Sequence, residues 1–259
     1  MAFHTPRHIA ELTMKAGERK ASLTLPSLLV LGFLAGAFIA FGFLVHIRVS
    51  ANLPDDWGSF ASFLGAAVFP VGLILVIIAG GELVTGNMMS LSIALMSGKI
   101  TVRQLLTNWF WVTLSNFVGA VFVAYCFGHV VGLTETGPYL EKTVAIAQAR
   151  LDDTFLQAFI SAIGCNWLVA LAVWLSSASD DVGGKILGIW FPIMTFVAIG
   201  FQHVVANMFV IPAAIFAGSF TWIDYFSNFV PVFLGNLVGG AVFVAAAYWF
   251  IYIKDAKPE

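Results

Sequence analysis

The sequence predicts an all-α membrane protein with six membrane-spanning segments. Its 259 residues are 60% apolar and only 10% charged, and its mean hydropathy is strongly positive. This composition is typical of a polytopic membrane protein and not of a soluble domain. Two further observations support the prediction: the apolar residues fall into six long runs, and these runs form two related halves.

Each apolar run is long enough to cross the roughly 30 Å hydrocarbon core, which takes about 18 or more apolar residues. The runs lie at 25–49, 60–97, 106–132, 155–177, 186–216 and 226–253. The second and fifth are too long for single spans, because an unbroken helix over 60–97 would be nearly twice as long as the core is thick. We therefore expect both to be broken at glycines: Gly80, Gly81 and Gly86 in the second run, and Gly200 in the fifth, with Pro212 beyond it.

The chain contains an internal repeat. Residues 80–119 align with residues 200–239 at a constant offset of 120, and the identities include glycines and asparagines, which seldom match by chance in apolar sequence. They include Gly80 with Gly200, Asn87 with Asn207, Asn108 with Asn228, Asn116 with Asn236 and Gly119 with Gly239. We place the repeats at 25–132 and 155–253. Because each has three spans, an odd number, the second repeat should be inverted relative to the first.

The positions of lysine and arginine predict the orientation. If the spans alternate, one side receives Arg48, Lys142 and Arg150, and the other side receives all the remaining basic residues. Basic residues favour the cytoplasmic side, so both termini should be cytoplasmic in a multi-pass protein of the cytoplasmic membrane. We interpret 1–259 as one transport domain with a cytoplasmic segment at 1–24 and a tail at 254–259. Residues 10–20 have the pattern of an amphipathic helix lying on the cytoplasmic surface.

The two interruptions are the predicted functional site. His203, in the second interruption, is the only histidine deep inside an apolar run, and such a group usually faces a bundle interior or a cavity. A packing contact with another helix is the alternative interpretation. Each interruption should expose the start of a half-helix, whose partial positive charge favours an anion. Asn87 and Asn207 should cap these half-helices or tie the unwound backbone to a neighbour, and Thr85 can turn toward His203 or the lumen.

Apolar residues around the interruptions predict a dry pathway. Those expected on its outer side are Phe69, Leu73 and Phe196, and those expected on its inner side are Leu83, Val84 and Val169. Burying an unpaired ion in such a tube costs several kcal/mol or more. A small weak-acid anion that takes up a proton near His203 would avoid this cost and cross as the neutral acid.

Four more polar residues are expected to support this site. Asn236 should orient the His203 ring, and Asn166 is a further polar group at membrane depth. Glu82 should hydrogen-bond to the unwound backbone rather than to substrate. Arg150 precedes the fourth span and could concentrate anions at the mouth of the pathway, although a solvated surface charge is the commoner explanation.

Other classes of function fit the sequence less well. A water or glycerol pore would be expected to carry paired Asn-Pro-Ala motifs, which are absent, and an intramembrane enzyme would need a catalytic cluster such as His-Glu-x-x-His, which is also absent. Cys126 and Cys165 lie in apolar runs and predict neither a disulfide nor a metal site. We expect no catalytic residue, no cofactor, no metal and no nucleic-acid partner.

Three motifs give the chain a family resemblance. They are Gly-Glu-Leu-Val-Thr-Gly-Asn at 81–87, Gly-Cys-Asn-Trp-Leu-Val at 164–169 and Gly-Phe-Gln-His-Val-Val-Ala-Asn-Met-Phe at 200–209. With these motifs the chain resembles the formate/nitrite transporter family over nearly its whole length. The resemblance implies an aquaporin-like protomer of six spans, a homopentamer in the bilayer with a pore in each protomer, and proton-linked passage of a small monovalent anion.

The resemblance also implies roles for individual residues. His203 matches the central histidine, Thr85 its partner, and Arg150 a vestibule position that often carries lysine. The remaining pathway positions match Leu83, Val84, Phe69, Leu73, Phe196, Val169, Asn166 and Asn236. Val84 stands where formate channels commonly carry phenylalanine, which implies a wider inner constriction. The third motif is most similar to the formate branch, so formate is the expected substrate, with nitrite and hydrosulfide as alternatives.

Overall fold

The computed structural model describes residues 3–255, and within them the chain contains helices and no β-strand. The helices of the first half are α1 (Pro6–Ala21), α2 (Leu25–Ser50), α3 (Ser59–Gly80), α4 (Val84–Met96) and α5 (Val102–Val130). Those of the second half are α6 (Pro138–Leu151), α7 (Phe155–Ser176), α8 (Val182–Ile199), α9 (Val204–Phe216) and α10 (Trp222–Lys254). The predicted tail at 254–259 lies outside the described residues from position 256 onward.

Six of these helices are long and apolar enough to cross a membrane: α2, α3, α5, α7, α8 and α10. The predicted six-span, all-α architecture is therefore confirmed. Helices α4 and α9 have 13 residues each, which at about 1.5 Å per residue reach only part of the way across a bilayer. Each follows a long helix after a short non-helical stretch, so the second and fifth apolar runs are broken as predicted.

Glycine backbone angles explain where the two runs break. Gly80 ends α3 with φ of 101°, and Gly200 ends α8 with φ of 89°. Both values lie in the left-handed region that side chains disfavour, so an L-residue with a Cβ atom would be strained there. The following residues, 81–83 and 201–203, have no helical structure. Gly86 lies inside α4 and takes no part in the interruption.

Close helix contacts inside each half depend on small residues. A Cβ atom on Gly119 of α5 would collide with the carbonyl oxygen of Phe33 on α2. In the second half, a Cβ atom on Gly239 of α10 would likewise collide with the carbonyl oxygen of Ile163 on α7. Backbones can approach this closely only where side chains are absent, which is how small residues pack membrane helices. The repeat therefore reproduces a packing contact as well as a sequence pattern.

The short helix that begins each half packs one face against the protein. Ile9, Ala10 and Thr13 of α1 are buried, and Gly17 lies directly against the backbone of Ser90 on α4. The predicted helix over residues 10–20 is therefore present, with its apolar face against α4, and its position along the cytoplasmic surface stays a prediction. Helix α6, which the sequence analysis did not predict, occupies the corresponding place at the start of the second half.

Replacing Gly119 with alanine should force α2 and α5 apart, because the new Cβ atom would overlap the Phe33 carbonyl oxygen. We expect a stability loss of about 1–3 kcal/mol, the usual range for overpacking, and a lower melting temperature in detergent. Val118→Ala is the matched control, since Val118 is 50% exposed on the same helix. Equal melting temperatures for the two variants would contradict the close contact.

Candidate functional site

Three neighbouring cavities, which share wall residues, lie around the two interruptions. The outer cavity has a volume of about 180 Å³ and lies beside α6, with His46, Lys142 and Arg150 in its wall. The central chamber is only about 10 Å³ and is lined by apolar side chains and His203. The inner cavity, about 70 Å³, lies beside α1, and Lys20 is in its wall. A cavity that contains at least one cation thus lies on each side of a small apolar chamber.

Apolar side chains separate the three cavities. Phe69 and Phe196 line both the outer cavity and the central chamber, and their rings meet edge to face with centroids 5.7 Å apart. Leu73 and Leu83 line both the central chamber and the inner cavity, and Val169 lines the chamber alone. These pairs form an outer and an inner constriction. Leu73 belongs to the inner constriction, whereas the sequence analysis placed it on the outer side.

Val84 does not line any of the three cavities. Its side chain is fully buried, and its backbone N–H donates to Asn116 Oδ1 at 2.9 Å. The expectation that valine at this position widens the inner constriction was therefore wrong, because the side chain points into the protein interior. Leu83, one residue earlier, supplies the wall instead.

His203 is the N-cap residue of α9, and both of its ring nitrogens contact other groups of the protein. The backbone N–H of Ala206 donates to His203 Nδ1 at 3.1 Å, which caps the helix. On the other side of the ring, Nε2 lies 3.0 Å from Thr85 Oγ1. Since Nδ1 accepts a hydrogen bond, the neutral ring carries its proton on Nε2 and donates it to Thr85. A second proton on Nδ1 would remove the helix cap.

Asn236 holds the backbone on both sides of His203. The N–H of Val204 donates to Asn236 Oδ1 at 2.9 Å, and Asn236 Nδ2 donates to the carbonyl oxygens of Gln202 at 3.1 Å and Ala162 at 2.8 Å. The predicted contact with the His203 ring was wrong, because the side chain satisfies unwound backbone instead. It thereby positions the ring through the main chain.

Asn116 performs the same task at the first interruption. Its Nδ2 donates to the carbonyl oxygens of Gly32 and Glu82, each at 2.8 Å, and its Oδ1 accepts the Val84 N–H. The first free N–H groups of α4 and α9 are therefore occupied by asparagine. These two groups are not available to an anion, on which the helix dipoles and the other N–H groups of the first turns can still act.

Asn166 connects the two interruptions. Its Nδ2 donates to the Thr85 carbonyl at 3.2 Å and to the Asn236 carbonyl at 2.7 Å, and it is fully buried. It therefore ties α4 to α10 and lies behind the wall of the pathway. This side chain fixes the separation of Thr85 and His203, which belong to different halves.

Glu82 forms an ion pair that the sequence analysis missed. Lys20 Nζ donates to its two carboxylate oxygens at 2.8 and 2.9 Å, and to Asn87 Oδ1 at 3.0 Å. Asn87 Nδ2 in turn donates to Glu82 and to Asn108 Oδ1. The expected bond from the Glu82 carboxylate to unwound backbone is therefore replaced by a link to α1. We call Lys20, Glu82, Asn87 and Asn108 the inner clamp.

An outer clamp occupies the equivalent place in the second half, and consists of Arg150, Gln202, Asn207 and Asn228. Asn207 Nδ2 donates to Gln202 Oε1 at 2.7 Å and to Asn228 Oδ1 at 2.9 Å. Asn228 Nδ2 donates to the Arg150 carbonyl, as Asn108 Nδ2 does to the Lys20 carbonyl. The 120-residue offset relates Glu82 to Gln202, and this was the signal that could have revealed the clamp.

The outer clamp differs from the inner clamp in charge. Gln202 is neutral where Glu82 is anionic, and its Nε2 donates to Asp153 at 2.6 Å. The Arg150 guanidinium donates to the Gly200 carbonyl, and its Nε is buried without a hydrogen-bond partner. Burial lowers the pKa of Arg150, which still remains protonated at physiological pH because its ordinary value is so high. Arg150 therefore brings positive charge to the outer cavity, where the vestibule position was expected.

The sequence profile described as "Formate/nitrite transporter" matches residues 7–250. The chain belongs to the formate/nitrite transporter family. A "Formate channel" of Bacillus thuringiensis, BtFdhC, is 63% identical over 98% of each chain, and "Uncharacterized transporter YrhG" of Bacillus subtilis (strain 168) is 66% identical over 99% of this chain and 97% of that one. The family and these relatives are transporters and channels, not enzymes.

Solved structures agree with this assignment. A "Pentameric formate channel with formate bound" superposes with a TM-score of 0.78 at 32% identity, and covers 88% of this chain and 98% of its own. An "FNT family ion channel" superposes with a TM-score of 0.87 at 29% identity, and covers 94% of this chain and 98% of its own. The fold of this family is therefore the fold of the chain.

The inner clamp can be tested by removing its lysine. Lys20→Met leaves the buried Glu82 carboxylate without its cation, and we expect a loss of about 3 kcal/mol. This loss is at the low end of the range for breaking a buried ion pair, because the Lys20 side chain remains 20% exposed. The double variant Lys20→Met/Glu82→Gln should recover much of the loss, since Gln202 already occupies the equivalent position in the second half. Thermal unfolding in detergent measures both.

Lys15→Met is the matched control for this pair of variants, because Lys15 is exposed on the same helix. It should unfold at the temperature of the parent protein. If the double variant were no more stable than Lys20→Met, the loss would come from the lysine stem and not from the uncompensated carboxylate.

Proposed function

We propose that the protein is a channel or transporter that moves formate together with a proton. The observation that carries this proposal is the central chamber, about 10 Å³ between two apolar constrictions, with His203 as its ionisable residue. Such a volume holds roughly one water molecule, so a passing ion would lose its hydration shell. Relatives named as formate channels and a neighbouring structure with formate bound support formate as the substrate.

Proton coupling follows from the cost of that dehydration. An unpaired ion loses several kcal/mol or more when it leaves water, whereas neutral formic acid loses much less. Positive charge on Arg150 and Lys142 raises the local concentration of the anion in the outer cavity. The anion takes up its proton before it passes Phe69 and Phe196, and it crosses the chamber as the acid.

His203 and Thr85 serve the neutral acid rather than the ion. The ring donates from Nε2 to Thr85, so the threonine hydroxyl retains its own proton for another acceptor. A carboxylic acid needs one donor and one acceptor. His203 lines the apolar chamber, and Thr85 lies behind the chamber wall, hydrogen-bonded to the His203 ring. The ring stays neutral throughout, because Nδ1 is occupied by the cap of α9.

We also propose the assembly and the orientation. The similar formate channel of known structure is pentameric, which supports a homopentamer in the lipid bilayer. The two clamps and the paired Asn116 and Asn236 contacts support two inverted halves within one transport domain, 1–259. Helices α1 and α6 then belong to these halves, ahead of the boundaries at 25–132 and 155–253. The distribution of lysine and arginine supports cytoplasmic termini and a cytoplasmic-membrane location.

The role of His203 can be tested without losing the fold. Asparagine is a good N-cap residue, so His203→Asn should keep the cap of α9 while removing the contact with Thr85. We expect proton-coupled formate uptake into proteoliposomes to fall about tenfold or more. Thr85→Val should give a similar loss. A parental uptake rate in both variants would argue against any part for this pair.

Substrate choice can be tested by measuring formate, nitrite and hydrosulfide uptake separately, with internal pH recorded in the same trace. We expect formate to be fastest and to acidify the interior, because each formate enters with one proton. A faster rate for nitrite, the other anion in the family's name, would keep the mechanism and replace the substrate. Formate uptake without internal acidification would contradict proton coupling and indicate an anion pore.

A further inference from the structure

The outer cavity contains a second histidine that the central site does not use. His46 lies near the end of α2 and shares the cavity wall with Lys142 and Arg150 from α6. Its Nδ1 is buried without a hydrogen-bond partner. A Cβ atom on Gly65 of α3 would come within 2.9 Å of the ring, so the fold keeps this space open for the imidazole.

The four other histidines already have partners for their ring nitrogens. His4 pairs with Asp180, His8 lies 3.7 Å from Glu11, and His129 pairs with Glu135. Both nitrogens of His203 are occupied, by Ala206 and Thr85. In the described residues no side chain hydrogen-bonds to the His46 ring, whose protein partner is the Gly65 backbone, so a bound molecule can compete for its proton.

The charges around His46 favour an anion. Lys142 and Arg150 face the cavity from α6, and His203 faces it from the start of α9, while α3 adds only Ser62 and other uncharged residues to the wall. The nearby carboxylate of Asp153 accepts a hydrogen bond from Gln202. No carboxylate lines the cavity in the described part of the chain. Asp153 acts on Arg150 from outside this wall, but no carboxylate contacts the Arg150 guanidinium as Glu82 contacts Lys20 in the inner clamp.

We propose that His46 is the proton donor of the outer cavity and that it acts on a small carboxylate anion held by Lys142 and Arg150. An N–H bond of the protonated ring breaks as the O–H bond of the neutral acid forms. The ring then takes a replacement proton from water at the mouth of the cavity. The acid passes Phe69 and Phe196 and enters the central chamber. This inference rests on the proposed function.

The anion and the proton have separate carriers in this arrangement. Arg150 and Lys142 are the cations in the cavity wall, and they hold the anion. The His46 ring is the group in this wall that can give a proton to a carboxylate, and an anion held beside it favours the protonated ring by offsetting the two cations. Changing a cation should alter substrate affinity, and changing His46 should alter the response to pH.

The test is initial formate uptake into proteoliposomes, with only the external medium acidified from about pH 8 to about pH 5. Uptake by the parent protein should rise on acidification. His46→Gln should lose most of this rise, with uptake at the acid end about tenfold lower. A His46→Gln variant with the parental pH profile would overturn the proposal.

Three comparisons make the outcome specific. His129→Gln changes a half-exposed histidine outside the cavity and should keep the parental pH profile. Lys142→Gln should raise the KM for formate several-fold and leave the midpoint of the pH profile unchanged. If His46→Gln does not give a folded protein by thermal unfolding, His46→Asn takes its place. If Lys142→Gln has the KM of the parent protein, Lys142 does not hold the anion, and the proposal is overturned.

Failure of the proposed function would be recognised separately. In that case the parent protein itself would take up formate no faster than empty liposomes, whatever residue stands at position 46. A parent that transports formate with a pH response, together with a His46 variant that responds equally, would contradict the His46 inference alone.

Discussion

Unwound backbone at membrane depth must find hydrogen-bond partners, and the rest of this structure depends on that constraint. Water cannot satisfy these groups in hydrocarbon, so the protein must do so. Asn116 and Asn236 each bind one N–H and two carbonyl groups around the interruptions. Without them, the breaks after Gly80 and Gly200 would leave buried polar groups unpaired. With them, two half-helices can begin in the middle of the protein and enclose a chamber.

The two halves share this frame but differ in what it holds. The N-cap position is Leu83 in the first half and His203 in the second, so a wall residue in one half corresponds to a polar residue in the other. The clamps differ in the same way, because Glu82 forms an ion pair with Lys20 whereas the neutral Gln202 forms none with Arg150. The matching asparagines of the two halves hold the pathway open. The residues that differ between the halves place the charge of Arg150 in the outer cavity and the polar His203 in the chamber.

Sequence reasoning located the important positions more reliably than it assigned their contacts. The 120-residue offset identified Asn87, Asn207, Asn116 and Asn236, all of which hydrogen-bond around the interruptions. It could not identify their partners, because a repeat gives depth along the membrane but not the direction of a side chain. The Asn236 side chain holds backbone and not the His203 ring, and Glu82 pairs with Lys20 from a helix distant in sequence. Leu73 and Val84 were likewise placed at the right depth with the wrong neighbours.

The sequence by itself determined the six spans, the two broken helices and the depth of His203, because hydropathy and glycine positions report directly on what a bilayer tolerates. Only the tertiary structure decided which cavity each residue reaches. Contacts such as Thr85 with His203, or Arg150 with Gly200, join segments that are far apart in the chain. Their geometry results from helix packing at close glycine contacts, which no local pattern encodes. The same packing brings His46 beside Lys142 and Arg150, three residues that have no shared motif.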